Sequence, residues 1–442
     1  MRLALLLAAA TFAWAQKPQL PEPYQTLAGL ANAAPPEFAA DTLLRIVESG
    51  QVADREVKRD LLEQAFRLAT AATFPVRKRS WPGTFTDTRS GSLSQAYELK
   101  LDTLSLQSRA VSDLMRLDAA AARSLFAEIP PLALPPLSCD DALFYEVSDF
   151  YQTLGAVFNS AFTASERAKQ EHMNFLLDYI GQTRSFAQVV PLVETIQGAG
   201  LTPAQKEIAL TKFGAMLPNL QPDDRSYSAL LSVLGPMTEP LVNKSTLKSA
   251  GCKDDLSTVE APGGQVVSAK SDATPKVERY WFSAESRRLF EDGMKLRYTA
   301  DGKLLSDADR SKPEWQQKLA DYLSAVAAWK AAEGESEAAY YNEKCVVYIA
   351  LVELIPPGAQ RDRTLQAFVD FIVNSSLLRQ SPVEWFLPAR TMLERMRPDN
   401  IGEPGKVVDA YERSGNPILV LETAVEKYLG TKAPGWVSNA KE

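Results

Sequence analysis

Apolar residues recur along most of the chain at the three- and four-residue spacing of amphipathic helices. This spacing predicts helices over 36–49, 53–73, 92–128 (broken near Leu117), 141–161, 164–182, 185–198, 203–216, 222–234, 283–294, 312–332, 336–355, 360–377, 382–396, 404–414 and 417–429. The strict alternation of β-strands is scarce. The pattern therefore predicts an all-α fold.

Pairs of side chains spaced as capping boxes mark several of the predicted helix starts. In this motif a Ser or Thr accepts a hydrogen bond from a free backbone N–H, and a Glu or Gln three residues later reaches back to the N–H of the cap residue. The pairs are Ser92/Gln95, Thr163/Glu166, Thr202/Gln205, Ser311/Glu314 and Ser381/Glu384. Helix starts at these positions agree with the apolar spacing.

Short connections between the predicted helices favour antiparallel neighbours. From Asp141 to Gly235 the helix starts recur about every 20 residues, which gives a two-helix unit of roughly 40 residues, closer to HEAT than to TPR spacing. The sequence shows no repeat consensus. We therefore expect irregular α-helical hairpin repeats that form an α-solenoid-like array.

Two segments interrupt the helical pattern. Residues 237–278 are rich in Gly, Ser, Pro, Asp and Lys, which predicts a long loop or flexible linker between a helical-repeat domain, 16–236, and a second helical domain, 279–442. In Lys295–Leu305, Asp301-Gly302 lies between short apolar runs, which is typical of a β-hairpin with a type I′ turn. The second domain is therefore expected to carry one small hairpin.

The first fifteen residues have the layout of a secretory signal peptide. Arg2 precedes an apolar run, and Ala13-Trp14-Ala15 resembles a cleavage site, so cleavage is expected after Ala15. No cysteine for lipid attachment follows, and no later run of about 18 apolar residues predicts a membrane span. The mature protein is expected to be secreted or periplasmic, without an integral membrane segment.

The net charge and the number of cysteines limit which partner classes and which disulfide bonds we expect. The formal net charge is -7 with acidic and basic residues interspersed, which argues against a nucleic-acid partner. Three cysteines allow at most one internal disulfide. Cys139 and Cys252 lie in polar, loop-like contexts and Cys345 in an apolar helix, so the pairing Cys139–Cys252 is favoured among the three combinations.

The sequence contains one histidine, His172, and none of the common hydrolase, zinc, redox or phosphate-binding motifs. A His-based triad or a three-His zinc site is therefore not expected, nor is any metal or cofactor. On a helical wheel His172 lies on the flank of the apolar face, which indicates a structural role.

Five carboxylates in apolar surroundings are candidates for a buried general acid. The wheel places Asp149, Asp178 and Asp370 on the solvent side of their helices and Glu146 also outside, while Glu384 is the reciprocal member of a capping box. These positions indicate a structural role for all five carboxylates. An inverting glycosidase could still draw two acids from loops.

Two clusters combine basic and aromatic residues, a composition that suits anionic or sugar ligands. The first consists of Arg77, Lys78, Arg79, Trp81 and Phe85, and its alternative role is to fold the loop back onto the helices. The second consists of Arg279, Tyr280, Trp281, Phe282, Arg287 and Arg288, and is expected to dock the first helix of the second domain.

Three functions are compatible with this sequence. The leading prediction is an exported, non-catalytic scaffold that binds a protein or peptide on a concave helical surface. The alternative is an (α/α)-toroid enzyme that hydrolyses a polysaccharide with paired carboxylates, which would make a glycan the partner. A third reading is a structural role in the cell envelope.

Overall fold

The structure is a computed structural model that describes residues 20–80, 88–139, 141–234, 258–260, 266–268, 283–396 and 403–429. The helices before the predicted linker are α1 Tyr24–Ala31, α2 Pro36–Glu48, α3 Arg55–Thr70, α4 Thr88–Tyr97, α5 Thr103–Met115, α6 Ala119–Ala127, α7 Ser148–Ser160, α8 Ala164–Ala168, α9 Glu171–Gln182, α10 Val189–Gly198, α11 Pro203–Met216 and α12 Asp224–Leu234. Two 3₁₀ turns, Phe186–Gln188 and Leu217–Asn219, lie among them.

The helices after the predicted linker are α13 Ala284–Arg297, α14 Asp307–Arg310, α15 Pro313–Ala328, α16 Glu337–Leu354, α17 Ala359–Val373, α18 Leu377–Gln380, α19 Pro382–Arg395, α20 Pro404–Ser414 and α21 Pro417–Leu429. The strands are β1 Lys78–Ser80, β2 Leu143–Tyr145, β3 Thr258–Glu260 and β4 Val266–Ser268. The predicted all-α fold is confirmed.

The strands form two short antiparallel ribbons, β1 with β2 and β3 with β4. The β1–β2 ribbon joins distant parts of the chain, and β3–β4 lies within the segment 237–278, which was predicted to be a loop. The predicted helix over 141–161 is partly wrong, because its first residues form β2 and α7 begins only at Ser148.

The predicted helix over 92–128 is divided into α4, α5 and α6. Lys100 adopts a φ of 55°, a left-handed conformation that ends the first segment. Asp102 then caps α5 through the N–H of Ser105, and Asp118 caps α6. An aspartate at each start satisfies backbone N–H groups that a continuous helix would use internally.

Two of the predicted capping boxes, those starting at Thr163 and Thr202, are formed, and the other three are wrong. Ser92 lies inside α4, and Ser311 is replaced by the box of Ser306 and Asp309 that begins α14. The third box, predicted at Ser381, is not formed, because the Ser381 N–H already donates to the Leu377 carbonyl at the end of α18.

Successive helices pack as hairpins around apolar faces. In the first part of the chain α2 packs on α3, α3 on α5, α5 on α6 and α7, α7 on α10, and α9 on α11. In the second part α13 packs on α15 and α16, α16 on α17 and α19, and α17 and α21 on α20. Each contact buries the apolar stripe that the sequence pattern marks.

Helices from the beginning and the end of the chain also pack directly on each other. Both α1 and α2 contact α21, and α4 contacts α16 and α19. The buried apolar side chains of these helices belong to one continuous core. The division into domains 16–236 and 279–442 stays a prediction, and most of the linker lies outside the described residues.

The predicted hairpin over Lys295–Leu305 is reduced to a single antiparallel bridge between Tyr298 and Leu304. Gly302 has a φ of 78°, whereas Asp301 does not have the positive φ that a type I′ turn requires. The Gly302 N–H donates to the Thr299 carbonyl, and the Thr299 N–H donates to the Lys303 carbonyl. The turn is therefore of the three-residue kind, with glycine as the left-handed residue.

Candidate binding cleft

The structure places the basic part of the first predicted cluster on and beside the β1–β2 ribbon. Lys78 pairs in register with Tyr145, and Arg79 with Phe144. Trp81 and Phe85 lie outside the described residues. The aromatic neighbours that the structure shows for these cations therefore come from β2.

Each of the three basic side chains has a partner within the fold. The Lys78 ammonium lies 4.9 Å from the ring centre of Tyr145, and burial lowers the pKa of this lysine. The Arg79 guanidinium stacks on Phe144 and its Nε lies 2.9 Å from a carboxylate oxygen of Glu146.

Arg77 is buried, and its Nη1 lies 3.8 Å from a carboxylate oxygen of Glu98. The contacts of Lys78 and Arg79 thus connect β1 to β2 and to Glu146 just after it, and the Arg77 ion pair connects the start of β1 to the end of α4. A ligand-binding role for Arg77, Lys78 and Arg79 stays a prediction.

Of the second predicted cluster, only Arg287 and Arg288 are described, both on α13. The Arg288 guanidinium forms ion pairs with Glu285 and Asp292 on the same helix. The remaining members, Arg279, Tyr280, Trp281 and Phe282, lie outside the described residues.

His172 is buried on α9 against aromatic rings, with the ring centre of Phe158 5.3 Å away. Its Nε2 lies 3.4 Å from the amide nitrogen of Gln205. Burial is the main cause that lowers the pKa of His172, and Arg167 adds to it. A neutral ring packed in this way fits the predicted structural role.

The predicted outward positions hold for Asp178 and Asp370, which are exposed, while Asp149 is half-buried and forms an ion pair with Lys100. The interpretations of two glutamates are wrong, because Glu146 does not lie outside and Glu384 does not take part in a capping box. Glu146 follows β2 rather than lying on a helix, and its side chain is only 9% exposed. Glu384 is 2% exposed and accepts a hydrogen bond from Asn342 Nδ2 at 3.0 Å.

Cys139 is disulfide-bonded, and Cys345 is a buried free thiol. Burial raises the pKa of the Cys345 thiol, which makes it unreactive. Cys252 lies outside the described residues, so its pairing with Cys139 stays a prediction.

An open cleft of about 870 Å³ lies between the end of α13, the turn after it and the start of α15. Its lining residues are Met294, Lys295, Tyr298, Thr299, Ala300, Gly302, Leu305, Asp309, Lys312, Glu314, Trp315 and Lys318. A large pocket with an apolar floor and a few polar groups is the usual form of a binding site.

The floor of the cleft is held by hydrogen bonds of the surrounding elements. The Trp315 indole donates to the Leu296 carbonyl at 3.0 Å, which fixes α15 against the end of α13. Met294 is 40% exposed, and Leu304 on the adjoining turn is 66% exposed. Met294 lines the cleft and Leu304 lies beside its lining residue Leu305, and exposed large apolar side chains of this kind are typical of interaction sites.

Charged side chains surround this floor. Lys312 Nζ lies 2.7 Å from Asp309, and its hydrogen bond is the largest cause that lowers the pKa of that carboxyl to about 2. Lys295 Nζ lies 2.9 Å from Asp292. The carboxyl of Asp309 is therefore ionised and hydrogen-bonded near neutral pH, unlike a general acid.

The described residues contain neither a candidate metal site nor a candidate membrane span. No group of three or more His, Cys, Asp and Glu side chains there could hold a metal ion. None of the helices in those ranges has both the length and the apolar composition to cross a bilayer.

Fold and cleft together define an all-α protein of packed helical hairpins with an open, apolar-floored groove. No protein-family model, curated protein or solved structure matches the chain.

Proposed function

We propose that this protein is an exported, non-catalytic helical scaffold that binds a protein or peptide segment in the cleft between α13 and α15. The observation that carries this proposal is the cleft itself, in which Met294, Tyr298 and Leu305 provide apolar surface and the buried Trp315 forms part of the floor. Methionine and aromatic side chains adapt well to the apolar face of a peptide.

The charges around the cleft favour an acidic partner. Its lining carries three lysines, Lys295, Lys312 and Lys318, and two carboxylates, Asp309 and Glu314, whereas the whole chain has a net charge of -7. A third carboxylate, Asp292, lies beside the lining and pairs with Lys295. An amphipathic helix with acidic residues beside its apolar face would place these carboxylates next to the lysines that line the cleft. Such complementarity increases the association rate and the specificity.

The binding test uses two fluorescein-labelled model helices with the same apolar face, one with acidic and one with basic flanks. We expect the full-length protein to bind the acidic helix more tightly and Met294→Asp to weaken this binding at least ten-fold. Ile208→Asp on α11 is the matched control, because Ile208 is equally apolar and 53% exposed but lies outside the cleft.

Three outcomes would contradict the proposal. If neither helix binds, the cleft is not a groove for helical peptides, and if both variants bind like the wild type, the binding site lies elsewhere. Binding of soluble polysaccharide by calorimetry, with release of reducing sugar, would instead support the carbohydrate-active alternative.

Export is supported by the layout of residues 1–15 alone. Expression of the full chain in a bacterial host with a secretion pathway should give a periplasmic or secreted product. Mass spectrometry of that product should find Gln16 at its N-terminus. A product that stays in the cytoplasm with residues 1–15 attached would contradict this part of the proposal.

A further inference from the structure

A network of ion pairs lies between α2, α5 and α21. The Asp41 carboxylate accepts from Arg45 Nε at 2.7 Å and also from Arg109, which in turn holds Glu48 with two nitrogens. The nearest atoms of Arg45 and Glu422, Nη1 and Oε2, are 3.9 Å apart. Asp41 and Glu422 are 2% and 4% exposed, so the network connects the beginning of the chain to its last described helix inside the protein.

The charges of this network do not balance when every group is ionised. Two guanidinium groups, Arg45 and Arg109, face three carboxylates, Asp41, Glu48 and Glu422. A fourth carboxylate, Asp113 on α5, interacts with Glu48 and forms an ion pair with Arg116, so these two residues add one charge of each sign. A surplus negative charge in a buried site is unfavourable, because the interior solvates it poorly. One proton on a carboxylate makes the network neutral.

The geometry identifies Glu422 as the carboxyl on α21 that takes a proton, while burial also raises the pKa of Asp113, at the Glu48 end of the network, to about 6. Asp41 contacts both guanidinium groups; although burial opposes its ionisation, Arg45 and Arg109 outweigh burial and lower the pKa of Asp41. Within the described residues, Arg45 is the one cation within 4 Å of the Glu422 carboxylate, and its distance of 3.9 Å is longer than that from Arg45 to Asp41. Burial therefore prevails and raises the pKa of Glu422 to about 7.

The other charged groups around Glu422 do not remove this imbalance. Arg390 on α19 and Glu426 on α21 act on it with opposite signs. The helix α1, which packs on α21, has no charged side chain. The charged residues of α20 are exposed to solvent: Lys406, Asp409, Glu412 and Arg413.

We propose that the protonation of Glu422 controls the packing of α21, a device that we call the clasp. The protonated side chain keeps α21 packed against α1 and α2, and its ionisation weakens this packing. The helix α21 is otherwise held by apolar side chains such as Ile418, Leu419 and Leu421, all fully buried. A carboxyl whose pKa is higher in the packed state than in the open state stabilises packing at low pH. This stabilisation is lost as the pH rises through about 7.

Hydrogen exchange of the full-length protein tests the clasp. If the open state has an ordinary glutamate pKa, linkage predicts that opening of α21 becomes about ten-fold more frequent between pH 6 and pH 8.5. After correction for the intrinsic exchange rates, the protection of α21 amides should fall by that factor, while the protection of α7 amides stays constant.

Glu422→Gln mimics the protonated acid and should keep α21 protected equally at both pH values. Glu412→Gln on α20 is the matched control, because its side chain is exposed, and it should behave like the wild type. Constant protection of α21 in the wild type would overturn the proposal whether or not the variant folds. A pH-dependent loss in Glu422→Gln equal to that of the wild type would also overturn it.

Discussion

The ring of Phe38 on α2 packs against the ring of Phe386 on α19 edge to face, with centroids 5.3 Å apart and planes at 87°. Both side chains are almost fully buried. Residues from the beginning and from the end of the chain thus form one aromatic contact in the core. Edge-to-face pairs add about 0.5–1.5 kcal/mol beyond the burial of their surface.

Phe386→Ala should lower the free energy of unfolding by about 3–5 kcal/mol, because a large buried ring leaves a cavity. In a double-mutant cycle with Phe38→Ala, the two changes should deviate from additivity by about 0.5–1.5 kcal/mol. Urea denaturation followed by circular dichroism provides the measurement. The control cycle pairs Phe386→Ala with Phe126→Ala, whose ring stacks on Phe150 instead, and should be additive.

The same experiment tests the predicted division into two domains. Because α1, α2 and α4 share a core with α16, α19 and α21, we expect one cooperative unfolding transition. Two separate transitions, of which Phe386→Ala shifts only one, would instead show that the two parts fold independently.

The thiols provide a second prediction. Titration with a thiol reagent without reductant should find no reactive thiol in the native protein, because Cys345 is buried. One thiol should appear after denaturation, and peptide mapping should find Cys139 linked to Cys252. Three thiols in the denatured protein would contradict the disulfide, and a link from Cys139 to Cys345 would contradict the pairing.

Most helices could be predicted from the sequence, because each buries one stripe of apolar residues at helical spacing. Glu384 shows why the same reasoning fails for polar groups. Its spacing from Ser381 fits a capping box, but the end of α18 uses the Ser381 N–H, and α19 packs on α4 and α16. Which groups lie beside a residue depends on contacts between distant segments, and a local pattern does not contain them.

The candidate site was only partly predictable for the same reason. The sequence marks Arg77, Lys78 and Arg79 as a basic cluster but does not show that Phe144, Tyr145 and Glu146 pair with them across the ribbon. It also predicts a turn at Gly302. That α14 and α15 face this turn and enclose a cleft follows only from the tertiary packing.

A pair of glycines provides a third prediction. A Cβ on Gly293 in α13 would lie 2.7 Å from the Tyr322 hydroxyl oxygen, and that hydroxyl donates to the Leu289 carbonyl. Gly293→Ala should therefore lower the free energy of unfolding by about 1–3 kcal/mol through overpacking, in spite of the better helix propensity of alanine.

Gly214 on α11 is the matched control, because no atom lies within 4 Å of a Cβ added there. Gly214→Ala should raise the free energy of unfolding by up to about 1 kcal/mol, through helix propensity alone. Urea denaturation of both variants gives the comparison. A stabilised Gly293→Ala variant would show that Tyr322 moves aside without cost.

The buried ion pairs provide the last prediction. Among the described residues, removing Arg109 leaves Arg45 as the one cation within 4 Å of Asp41 and takes away the guanidinium partner of Glu48. Arg109→Ala should therefore lower the free energy of unfolding by about 3 kcal/mol. Arg59→Ala removes an ion pair between exposed side chains, Arg59 and Glu63, and should cost less than about 1 kcal/mol. Adding Asp41→Asn to Arg109→Ala should restore part of the loss, since it removes the buried charge that Arg109 neutralises. Urea denaturation at pH 6 measures all three, and equal small losses in both single variants would contradict the role of the buried network.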